Sequence, residues 1–63
     1  MTGREFRQLR AQLGVSQSGL AQLMGTTQAA VSRWEAGARP ISELVARFLR
    51  LLVQTRGKRT GGR

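Results

Sequence analysis

The 63-residue sequence predicts an all-α fold, a compact bundle of four or five short helices in one domain. Three observations carry that expectation. Apolar residues recur at intervals of three and four, and no stretch alternates with the period of two that a half-buried strand needs. Gly14, Gly25, Gly37 and Pro40 punctuate the chain at helix-length spacing. A hydrophobic content of 40 % at this length supports one small core and no second.

The elements follow in order. Thr2 and Glu5 have the spacing of a capping box, and Phe6, Leu9 and Leu13 then form one stripe that ends at Gly14. Ser16 opens a second helix carrying Leu20, Ala21, Leu23 and Met24, which Gly25 stops. Thr27 caps a third, running to about Ala36 before Gly37. A fourth begins near residues 40–42 and extends to about Gln54, so the domain is placed at 1–54. Residues 55–63 are glycine-rich and basic, with no apolar anchor, and are expected to form a disordered tail.

The fourth helix is apolar almost all round. Glu43, Arg47, Arg50 and Gln54 make its only polar stripe. Ile41, Val45, Phe48, Leu49 and Leu52 are expected to enter the core, leaving Leu44 and Leu51 on one flank and Ala46 and Val53 on the other. Surplus apolar surface on so small a domain implies a partner, most simply a second copy. The expected dimer contact comprises Leu44, Phe48, Leu51 and Leu52; a toxin or another protein partner is the alternative occupant.

Composition narrows the function. Cysteine, histidine and tyrosine are absent and only three carboxylates are present, so acid–base or metal-assisted catalysis has almost nothing to work with. No enzyme, no metal and no cofactor is expected. Eleven Lys and Arg, ten of them Arg, give a net charge of +8. Such a balance implies a polyanionic partner, and arginine's planar fork suits phosphates and guanine edges. No apolar run approaches the ~20 residues of a membrane span, and residues 1–10 lack a signal-peptide core. A cytoplasmic, nucleoid-associated location with no membrane contact is expected.

The second and third helices are joined by only "GTT", residues 25–27. So short a turn makes them cross steeply, as in a helix-turn-helix unit. Ala21 supplies the small residue at the close approach, Gly25 the positive φ, and Val31 and Trp34 the apolar underside. The stretch "QLGVSQSGLAQLMGTTQAAVSRWEAG", residues 12–37, resembles the DNA-binding domains of lambdoid phage repressors and Cro proteins, with the motif at 17–36. The resemblance implies a lambda-repressor-like domain whose third helix reads the major groove of double-stranded DNA. The chain departs from the family at Gly19, where a good helix former is usual, and after the fourth helix, where a dimer-forming fifth is often found.

On the helical wheel Ala30, Val31 and Trp34 share one side of the third helix, and Gln28, Ala29, Ser32, Arg33 and Ala36 the other. Gln28, Ala29, Ser32 and Arg33 are the expected base contacts: Gln28 toward adenine, Arg33 toward guanine, the Ala29 methyl toward thymine. Arg10 and Glu35 are expected to pair across the helices, as the matching positions do in the resembling repressors. Phosphate contacts are expected from Gln17, which has the family's backbone-contacting position, from Thr27 at the start of the third helix, and from Arg39 in the loop. The tail's Arg56, Lys58, Arg59 and Arg63 can add more, with a merely solvated tail as the alternative. Together these readings predict a bacterial or phage regulator, a homodimeric repressor bound to a near-palindromic operator. A DNA-binding antitoxin and a non-specific nucleic-acid-coating protein are the competing readings.

Overall fold

The computed structural model describes residues 1–57. Helices α1 (Gly3–Leu13), α2 (Gln17–Met24), α3 (Gln28–Ala36) and α4 (Glu43–Leu52) are followed by a π-helical turn, Val53–Gly57, and the described residues contain no strand. Every α-helix starts on a side-chain cap. Thr2 Oγ1 accepts from the Glu5 amide at 3.1 Å while Glu5 Oε1 accepts from the Thr2 amide at 2.9 Å, closing the capping box. Ser16, Thr27 and Ser42 accept from the amides of Gly19, Ala30 and Val45. Each cap satisfies an amide that the helix cannot, and contributes about 1 kcal/mol.

The turn between α2 and α3 depends on Gly25, whose φ of 71° lies in the left-handed region. With that reversal the Thr26 amide reaches back to the Ala21 carbonyl at 2.9 Å, and Thr27 is free to cap the next helix. Ala21 and Leu20 are buried on α2, as are Ala30, Val31 and Trp34 on α3. Phe6 from α1 and Leu49 from α4 complete the cluster. The Phe6 and Trp34 rings lie 5.6 Å apart at a tilt of 43°, a centroid separation within the favourable range for aromatic pairs.

A second close approach was not visible in the sequence. A Cβ on Gly3 would lie 2.5 Å from the Glu35 carbonyl oxygen and 2.7 Å from that of Trp34. The first turn of α1 therefore rests directly on the last turn of α3, backbone to backbone. Gly3→Ala should destabilise the domain by about 1–3 kcal/mol through overpacking, despite alanine's better helix propensity. Thermal unfolding checks this, and a midpoint equal to or above that of the parent would show that the contact opens freely.

Helix α4 presents a different face from the one expected. Ala46 is buried, although it was assigned to a spare flank, and Phe48, assigned to the core, is exposed. The buried direction runs through Ala46 and Leu49, with Val45, Leu52 and Val53 partly covered beside it. With Ala46 and Leu49 turned inward, helix geometry carries the bulkier Phe48 to the outer side. Leu52, expected at the dimer contact, packs against the core instead of lying wholly on the outer surface. The α-helix also ends two residues before Gln54. There the Thr55 hydroxyl donates to the Leu51 carbonyl at 2.9 Å, and the backbone widens into the π turn. Thr55 and Arg56, expected in the tail, belong to this turn; Lys58, Arg59 and Arg63 lie outside the described residues.

Candidate nucleic-acid interface

The buried side of α3 holds Ala30, Val31 and Trp34, and this fixes what the opposite side shows. Gln28, Ala29, Ser32, Arg33 and Ala36 are all exposed, on one continuous outer face. Three of the five side chains are short, so a flat polymer can approach the helix backbone. Gln28 and Arg33 supply the long hydrogen-bonding groups, one in the first turn and one further along.

Behind this face lies a connected polar cluster. The Glu35 carboxylate accepts from Arg10 at both oxygens, from Nε to Oε2 and from Nη2 to Oε1 at 3.2 Å. Arg10 Nη1 also donates to the Val15 carbonyl at 3.0 Å, which ties the α1–α2 loop to the pair. Gln17 Nε2 donates to Glu35 Oε1 at 2.9 Å, and Gln28 Nε2 donates to Gln17 Oε1 at 3.4 Å. Only 6 % of the Glu35 side chain and 18 % of the Arg10 side chain remain exposed. Burial pushes the Glu35 carboxyl up, but the hydrogen bonds from Arg10 and Gln17, aided by the charges of Arg10 and Arg7, hold it below its ordinary value of 4.5. The cluster thus joins α1, α2 and α3 and neutralises the one carboxylate close to the outer face.

Other residues singled out in the sequence occupy separate places. Thr27 spends its hydroxyl oxygen on the Ala30 amide while remaining exposed at the N-terminus of α3. Arg39 is exposed in the α3–α4 loop, with its guanidinium carbon 5.9 Å from the centre of the Trp34 ring, a cation–π arrangement that steadies the loop. Arg56 is exposed in the π turn, an element apart from α2 and α3. Leu44, Phe48 and Leu51 are exposed on α4 by 78 %, 37 % and 51 %, which makes one apolar stripe at helical spacing.

Comparison with protein-family models gives a match to the helix-turn-helix domain over residues 2–59. The chain belongs to that family. No curated protein and no solved structure matches it. The match supports DNA as the ligand class, and within the matched residues α2 and α3, joined by a three-residue turn, have the connectivity of a helix-turn-helix. Gln17, at the start of α2, keeps one amide hydrogen beyond the one it gives to Glu35.

The structure also brings out Arg7, which the sequence did not distinguish from its many basic neighbours. Arg7 lines a surface cleft with Arg10, Gln17, Ser32, Glu35 and Ala36, and so stands at the border of the helix-turn-helix outer face. No helix among the described residues is long and apolar enough to cross a membrane.

Proposed function

We propose that this helix-turn-helix protein is a homodimeric, sequence-specific repressor of the Cro and lambdoid-repressor type, acting in a bacterial cytoplasm by occupying an operator and not by catalysis. The observation that carries the reading is the outer face of α3. Its exposed residues pair readily with base edges, and its underside is locked by Val31 and Trp34. Gln28 pairs with adenine, Arg33 with guanine, and the Ala29 methyl touches a thymine methyl. Gln17, Thr27 and Arg39 fix the register on phosphates. The net charge of +8 adds sequence-independent attraction.

The dimer is supported by the stripe on α4. Leu44, Phe48 and Leu51 are nearly symmetric about a point beside Phe48, so an antiparallel copy sets Leu44 against Leu51 of the partner subunit. Covering this stripe removes the largest exposed apolar groups of the described residues.

Selection of bound duplexes from a randomised pool at near-physiological salt tests the whole reading. The expected result is a two-fold symmetric site with half-sites about one helical turn apart. Arg33→Ala should then cost about 1–3 kcal/mol on the selected site and little on unrelated DNA. Binding without enrichment, or an equal loss on every sequence, would identify a coating protein instead.

A further inference from the structure

We propose that the cleft between α1 and the flank of α3 is a seat for one backbone phosphate per subunit, with Arg7 as its principal cation; this rests on the DNA-binding reading. Arg10 and Gln17 already satisfy the Glu35 carboxylate in this cleft. Arg7, in contrast, is exposed and makes no hydrogen bond or ion pair among the described residues. Two guanidinium groups against one carboxylate leave the cleft with a net positive charge, and that charge resides on Arg7. The Ser32 hydroxyl on the same wall is a neutral donor, and the small Ala36 leaves room beside it.

Geometry decides what anion arrives there. A helix with its side chains is about 10–12 Å across and the major groove about 12 Å wide, so a recognition helix fills the groove. Its flanks then meet the sugar–phosphate walls. Ser32 and Ala36 are on α3, so this cleft opens along one such flank, and Gln17 lines it from the first turn of α2. A phosphate on that wall comes within reach of Arg7, which extends the contact surface from the helix-turn-helix onto α1. A bidentate arginine–phosphate contact supplies orientation as well as charge.

The test measures the salt dependence of binding by the full chain to one mixed-sequence double-stranded oligonucleotide. Arg7→Gln is expected to lower the slope of log K against log salt by about 0.9 per subunit, and Arg7→Lys to retain it. Arg50→Gln serves as the charge control. Arg50 borders a different cleft, with Met1, Glu5, Gln8, Leu9 and Gln12, so its slope should stay at the parent value. Equal slope changes for Arg7→Gln and Arg50→Gln would mean that only net charge matters, and would overturn the seat. A lowered melting temperature for Arg7→Gln with an unchanged slope would overturn it as well, assigning Arg7 to support of Glu35. If the parent protein itself fails to bind duplex DNA, the DNA-binding reading falls first and the seat with it.

Discussion

Trp34→Ala is expected to destabilise the domain by about 3–5 kcal/mol, enough to abolish cooperative unfolding in a chain of this size. Trp34 is 8 % exposed, packs its ring at a tilt against Phe6 and belongs to the same cluster as Leu20, Val31 and Leu49. Truncation opens a cavity where α1 meets α3, and the backbone contact of Gly3 on the last turn of α3 prevents those helices from closing it. The Arg39 guanidinium also loses its ring. Calorimetry or a circular-dichroism melt reads the result. A sharp transition within a few degrees of the parent would show that the Trp34 ring contributes little to the core.

Removing the Glu35 carboxylate is the second large perturbation. Glu35→Ala should cost about 3 kcal/mol, because it leaves a largely buried Arg10 guanidinium uncompensated and takes the acceptor from Gln17. Replacing both partners by apolar residues, as in Arg10→Met with Glu35→Leu, should cost less than the sum of the single changes. The same pair predicts an acid limb. With the carboxyl held below 4.5 in the fold, the unfolded chain takes up the proton first, so the stabilisation is complete above that value. It is lost as the pH falls through the folded value. Denaturant midpoints measured from pH 7 down to pH 3 should fall more steeply for the parent than for Glu35→Ala. Identical pH profiles would remove Glu35 from the acid response.

What could be read in the sequence was whatever local chemistry fixes. Thr2, Ser16 and Thr27 cap helices because of groups within three residues of themselves, and Gly25 turns the chain within the same range. The outer face of α3 was legible for a related reason: Val31 and Trp34 leave only one way to orient so short a helix. The face of α4 was not, since apolar residues surround it on nearly every side and periodicity cannot choose among them. The choice falls to packing against neighbours distant in sequence, which buries Ala46 and Leu49. Gly3 was hidden likewise, because what it must avoid is the carbonyl backbone of α3, more than thirty residues on. Arg7 is indistinguishable from the other arginines until the cleft is formed.

The chain of contacts from Glu35 through Gln17 to Gln28 has a directional consequence. A carboxylate can only accept, so Gln17 must turn its NH2 toward Glu35 and its carbonyl toward Gln28. Gln28 answers with its own NH2 across 3.4 Å, which favours one orientation of the outermost amide. An amide presented in one orientation distinguishes a donor–acceptor pattern from its reverse; a freely flipping amide accepts either. Under the proposed function, the donor–acceptor order that Gln28 would present to a base edge is therefore biased from two side chains away, by the Glu35 carboxylate.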